Sequence, residues 1–350
     1  MTSRLAQTIG LGTEFWNDSC APSELRAAVA AGATGATSNP VIVAGVVKAD
    51  PATWNPVLES LARDFPRASE DDLAWRLIEE LGRRAAAELA PIHQRTGGAQ
   101  GWLSMQVNPT FYRDPDAMVA HGRTLATLGP NIAIKAPCTE AGIAAMERLT
   151  AEGISVNATV SFSVSQAMAV AEAINRGLGR AKNPAAVFPH VTIMIGRIDD
   201  HLQRLLVRDA ISIDPGFLHW AGIAVFKRAH EIFQQRGFRA RLLAAAFRHH
   251  LHWSELIGDG VVMTIPYPWW KQFDASDIEP ARTLARPVDS RITTALAARF
   301  PDFRRAWEPG ALPPSGFASF GPTVHTLSQF LGGYAELLAI VRERIFAAGG

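Results

Sequence analysis

Between Thr13 and Pro266 the chain alternates short apolar or β-branched runs with long amphipathic segments, the β-then-α order of a parallel sheet covered by helices. Eight strands are predicted: Thr13 to Asp18, Gly35 to Asn39, Trp102 to Val107, Asn131 to Ala136, Ile154 to Val160, Val191 to Arg197, Ala240 to Phe247 and Val261 to Pro266. Several are apolar on both faces, as strands are when helices cover the sheet. Eight such units with no break in composition favour a closed (β/α)8 TIM barrel over two doubly wound halves. No glycine-rich dinucleotide fingerprint follows any strand. The expectation is one α/β barrel domain over 1–350, with additional helices after strand two and C-terminal helices over about 268–350.

Several helix boundaries are legible. Ser69 followed by Asp72 predicts a capping box, with Leu73, Leu77, Ile78 and Leu81 on one face behind it. Thr139 can cap a helix carrying Ile143, Met146 and Leu149 that stops at Gly153. The connection from Pro40 to Gly101 has room for two helices. Near the end, Val324, Leu327, Leu331, Tyr334, Leu338 and Val341 form a stripe for a docking helix, which Gly332 and Gly333 are expected to weaken.

Composition narrows the function classes. With 48% hydrophobic and 19% charged residues the chain is not disordered. Its formal charge of +1 lacks the basic excess of a nucleic-acid binder. No uncharged apolar run approaches the ~18 residues that cross a bilayer, so no membrane partner is expected. The N-terminal segment meets Glu14 and Asp18 before any adequate apolar core of an export signal. Two cysteines, Cys20 and Cys138, are too few for a disulfide framework and fit a reducing, cytoplasmic setting.

In a TIM barrel the chemistry stands at the C-terminal ends of the strands. That filter passes Asp18, Thr37, Ser38, Asn39, Gln106, Lys135, Asn157, Thr159, Thr192, Arg197, Arg248 and Thr264. A period of two places Asn131, Ala133 and Lys135 on one face of strand four. If Ile132 and Ile134 face the helices, Lys135 faces the lumen, where desolvation favours the neutral amine that attacks a carbonyl to form a Schiff base. Spacing alone also accommodates a lysine whose stem crosses the strand end and whose ammonium reaches water. Asp18 can serve as a proton shuttle or as the cap of a helix opening at Pro22 or Ser23. Arg197 and Arg248, closing strands six and seven, can clamp a phosphate with forked donors.

The segments Gly35-Ala-Thr-Ser-Asn-Pro40, Ile134-Lys-Ala-Pro-Cys-Thr139, Glu152-Gly-Ile-Ser-Val-Asn-Ala-Thr159 and Ile195-Gly-Arg-Ile-Asp199 resemble, in order, signatures of the transaldolase family. Ala221-Gly-Ile-Ala-Val-Phe-Lys-Arg228 and the tail from Phe317 to Val341 are similar to its later segments. The resemblance implies a cofactor-free class I aldol enzyme acting on phosphorylated ketoses. By that resemblance Lys135 forms the Schiff base and Asp18 takes the proton from the C4 hydroxyl. Asn39 and Asn157 hold the dihydroxyacetone moiety in the neighbourhood of Thr37 and Ser38. Thr159 positions the catalytic water, Thr192 stands where serine is common, and Arg197 and Arg248 bind phosphate. Oligomeric state stays open between monomer and homodimer.

Departures from the family pattern cluster in three places. Gln106 stands where most transaldolases carry glutamate, and a neutral amide orients water without deprotonating it. The fructose-6-phosphate aldolase branch shares that glutamine. Met194 replaces the Phe of transaldolases and the Tyr of the aldolases, giving a softer wall with no hydroxyl. Ala246 replaces a serine that assists phosphate binding. The functional readings are therefore transfer, with donor or acceptor specificity open, then aldol cleavage, then a sugar-phosphate-binding barrel with little turnover. His249, His250 and His252 invite a metal, but no inward carboxylate partner is evident and none is expected. Trp269 and Trp270 suit either sugar stacking or packing of the extra helices. Cys138, with no histidine near it in the motif, reads as a small buried residue.

Overall fold

The computed structural model describes residues 3–348; the ends of the expected 1–350 domain lie outside the described residues. Eight strands form a closed parallel barrel in sequence order: β1 (Glu14–Asn17), β2 (Gly35–Thr37), β3 (Trp102–Gln106), β4 (Ile132–Pro137), β5 (Val156–Thr159), β6 (His190–Met194), β7 (Arg241–Ala245) and β8 (Val262–Ile265). Closure runs from Glu14 opposite Val262 to Asn17 opposite Ile265. This is the expected (β/α)8 TIM barrel. No helix among the described residues is long and apolar enough to cross a membrane.

Among the strands that end earlier than their apolar runs predict, β6 and β7 matter for the site. β6 gives way at Ile195 to the helix Ile195–Arg208, so Arg197 belongs to the first turn of that helix and not to a strand end. Glycine permits this early turn across space: at Gly196 a Cβ would come within 1.9 Å of the carbonyl oxygen of Ala246, which follows β7. β7 ends at Ala245, and Ala246 turns the chain with a φ of 66°.

Apolar side chains fill two regions. Between the strands and the surrounding helices lies the main core, with Phe15, Leu103, Ile134, Val191 and Met263 facing outward. Inside the barrel Trp16, Trp102, Ala133, Leu243, Ala245 and Val262 pack together. Trp16 occupies space that a side chain at Gly35 would need, since a Cβ there would lie 2.4 Å from its ring. Its indole nitrogen donates to Glu14 Oε1 at 2.8 Å, and the other Glu14 oxygen accepts from Arg241. Burial pushes the Glu14 carboxyl up, but Arg241 and the hydrogen bonds outweigh it and hold the group below the ordinary carboxylate range.

The connection after β2 holds three helices, Pro40–Ala49, Pro51–Asp64 and Glu70–Arg95, where two were expected. Asp50 ends the first with φ −134° and ψ 67° and caps the second by accepting from Thr53 N, so one apolar run becomes two elements. The capping box at Ser69 and Asp72 and the Thr139 cap form as predicted.

The C-terminal helix Gly321–Ala348 docks through Leu327, Phe330, Tyr334, Leu337 and Val341. Val324, assigned to that face by sequence, is 49% exposed. Gly333 does not weaken this helix's docking but permits it. A Cβ there would lie 2.5 Å from Val41 Cγ2, so the glycine lets the helix rest against Pro40–Ala49.

Arg241→Ala would strand the buried Glu14 carboxylate, and we expect a loss of about 3 kcal/mol in urea unfolding at neutral pH. In the wild type the Glu14 contribution is lost as pH falls through its depressed folded value. The deficit of the variant should therefore narrow on acidification; a deficit that is absent at neutral pH, or that widens in acid, would contradict this account of the barrel floor.

Candidate active site

Polar residues take over the lumen above Trp16. Strand register sets Gln106 beside Lys135 and Lys135 beside Asn157, so β3, β4 and β5 present one row to the barrel mouth. Lys135 is 5% exposed. Its Nζ donates to the Ser38 carbonyl at 3.4 Å. Next to Ser38, the Thr37 hydroxyl donates to Asp18 Oδ1 at 2.5 Å and lies 2.9 Å from the Thr264 hydroxyl. The end of β2 thus holds both the amine and the carboxylate.

Asp18 does not cap the following helix. Pro22–Ala30 has Ala21 at its N-cap and no side-chain cap. Burial pushes the Asp18 carboxyl above its ordinary range, against the pull of Lys135 and the Thr37 hydrogen bond. Burial likewise lowers the Lys135 ammonium, with Asp18 opposing and Arg197 adding to the effect. Each group is displaced toward its neutral form.

A second buried lysine supplies the contrast. Lys227 Nζ donates to Glu255 Oε2 at 3.0 Å, the Thr283 carbonyl at 3.0 Å and the Arg286 carbonyl at 2.9 Å, the full set an ammonium can use. Among the described residues Lys135 has a single long hydrogen bond. The first geometry stabilises a charge, and the second leaves a lone pair available for attack.

Asn157 is fully buried, donates to the Ser104 hydroxyl at 2.9 Å and accepts from Thr192 at 2.7 Å. This fixes the amide orientation. Sequence reasoning missed Ser104, although it holds the inward position between Trp102 and Gln106. Asn39 uses its Oδ1 to cap Pro40–Ala49 through Ile42 N, which leaves its amide nitrogen for a ligand. Thr159 Oγ1 points to Met194 Sδ at 3.8 Å. Gln106 Oε1 is buried with no hydrogen-bond partner among the described residues. Val160, directly after Thr159, has a φ of 55°, a strained conformation for a β-branched residue.

On the far side of the mouth, Arg197 bonds to Gln329 of the C-terminal helix, a contact no local pattern announces. Burial, reinforced by the charge of Arg248, lowers Arg197 to about 10. Arg248 forms an ion pair with Asp200 at 2.8 Å, so a bound phosphate must compete with that carboxylate. An anion between the two guanidinium groups would relieve their repulsion.

The remaining sequence candidates resolve as packing, with one correction. Trp270 is buried and donates to Asn17 Oδ1 at 3.2 Å, and Trp269 lies against Phe273. Cys138 is buried, which pushes its thiol up to about 12. The histidines do have an inward carboxylate partner, Asp199, which lies 3.2 Å from His249 Nε2 and 2.8 Å from His252 Nε2. It lies on the helix after β6, far from the histidines in sequence, so no local spacing reveals it. A cleft of about 770 Å³, lined by Asp18, Pro22, Ile42, Pro266 and Tyr267, leads outward from Asp18.

Comparison with known proteins agrees with this arrangement. Residues 15–302 match the family described as transaldolase/fructose-6-phosphate aldolase. The chain is 29% identical over 259 residues to transaldolase 1 of Streptomyces avermitilis, covering 66% of this chain and 68% of that protein. It is 31% identical over 207 residues to the transaldolase of Kocuria rhizophila, covering 57% and 55%. With the transaldolase of Neisseria meningitidis serogroup A it shares 29% over 294 residues, covering 77% and 83%. The chain is an enzyme that belongs to the transaldolase/fructose-6-phosphate aldolase family.

Proposed function

We propose that this chain transfers a dihydroxyacetone unit from a ketose phosphate to an aldose phosphate through a Schiff base on Lys135. The observation that carries this reading is the buried Lys135 amine, held by one 3.4 Å hydrogen bond beside a carboxyl group. Lys135 adds to the C2 carbonyl, water leaves, and the protonated imine becomes an electron sink. Asp18 takes the C4 hydroxyl proton as the C3–C4 bond breaks and the aldehyde departs. Asn39, through its amide nitrogen, and Asn157 hold the three-carbon carbanion equivalent, with Thr192 and Ser104 orienting Asn157. The acceptor aldehyde is attacked at its carbonyl, and Asp18 returns the proton. Water oriented by Thr159 and Gln106 then hydrolyses the imine. Arg197 and Arg248 bind the phosphate, and Met194 shapes the wall against Thr159.

Gln106 favours a second reading, aldol cleavage with release of dihydroxyacetone, because its uncharged Oε1 lacks the basicity of a glutamate. We further propose that 1–350 is one barrel domain acting in the cytoplasm without a cofactor.

Incubation with fructose 6-phosphate followed by borohydride should leave a three-carbon adduct on the Lys135 peptide, and Lys135→Met should lower turnover by about 10³-fold or more. No adduct with this or any other ketose phosphate would sink both readings. Turnover that requires erythrose 4-phosphate or another aldehyde identifies transfer. Asp18 raises the Lys135 pKa, so Asp18→Asn should move the acid limb of borohydride trapping to lower pH. A shift to higher pH would refute the pairing. Gln106→Glu should raise transfer activity by about tenfold; a rate unchanged within about twofold removes Gln106 from the argument.

A further inference from the structure

We propose that Asp199, His249 and His219 form a three-ligand zinc site on the phosphate side of the barrel mouth, tying together the two elements that carry Arg197 and Arg248. One potential ligand atom from each residue lies within 4.8 Å of the other two. One pair, Asp199 Oδ2 and His249 Nε2, is 3.2 Å apart. Two ligands each ~2.1 Å from a tetrahedral ion are separated by about 3.4 Å, so this pair already has the spacing of a zinc edge. His219 is exposed, on the 3-10 segment Pro215–Trp220, and its ring lies 4.7 Å from that of His249. It can rotate to close the third position and leaves the fourth to water.

The surroundings orient the carboxylate as metal ligands are oriented. Asp199 is 7% exposed, and its Oδ1 accepts from Gly222 N at 2.9 Å. The Arg248 backbone N–H donates to His252 Nδ1 at 3.1 Å, so the proton of a neutral ring sits on Nε2, which donates to Asp199 Oδ2 at 2.8 Å. His252 therefore positions the carboxylate and does not itself coordinate. The Arg248 guanidinium is turned to Asp200. Two imidazoles and one carboxylate with an open position suit zinc, and nickel or copper next.

Geometry also gives the site a consequence. Asp199 follows Arg197 by two residues on the same helix, and His249 directly follows Arg248. An ion across Asp199 and His249 would set the separation of the two arginines.

The test is zinc titration of tag-free, chelator-stripped protein, followed by calorimetry, thermal unfolding and cobalt(II) substitution. The expected result is one ion per chain, a raised thermal midpoint, visible bands of tetrahedral cobalt and, in His219→Ala and His249→Ala, affinity weakened by at least about tenfold. His219 is exposed, so His219→Ala tests the site even if His249→Ala fails to fold. No saturable binding below ~1 mM zinc, or binding that persists within about twofold in His219→Ala, overturns the proposal.

Discussion

Closing eight parallel strands forces every second side chain into one lumen, and the lumen must be filled. In this chain Trp16, Trp102, Leu243 and Val262 do much of the filling, over a floor where Glu14 is paired with Arg241. Gly35 yields the space that the Trp16 indole needs. Because the lower lumen is packed with apolar side chains, the inward positions above it stand against a filled base. Gln106, Lys135 and Asn157 owe their common level to that closure and to the register it imposes.

Electrostatics at the mouth follow from burial more than from specific partners. Lys135 and Asp18 are both displaced toward neutrality by desolvation, and their mutual attraction only moderates the shift. A barrel that simply stored a charge would surround it with acceptors, as happens at Lys227. Opposite, Arg197 and Arg248 are held near each other despite their repulsion. Positive potential is thus kept at one side of the mouth in a protein whose formal charge is only +1.

Elements remote in sequence supply the supports. The C-terminal helix, seated on Pro40–Ala49 through Gly333, brings Gln329 to Arg197. The helix after β6 brings Asp199 to the histidines after β7, and Gly196 lets that helix start early enough to do so. Strained backbone at Val160 and Ala246 falls beside Thr159 and two residues before Arg248. Such conformations persist only where surrounding packing over-determines them.

The sequence by itself determined the architecture, since eight apolar runs of the right length followed by amphipathic segments have few ways to bury both faces. It also put Lys135 on one face of its strand with Asn131 and Ala133, because the period of two is a property of the strand and needs no knowledge of neighbours, while which face turned inward was decided by closure. The capping box at Ser69 was legible for the same local reason. Tertiary structure alone decided what each group meets. The end of β6, the partner of Asp18, the carboxylate beside His249 and His252, and the role of Gly333 all depend on segments that closure and packing bring together. Periodicity reports which face a residue occupies, but hydrogen bonds, desolvation and close approach are set across space.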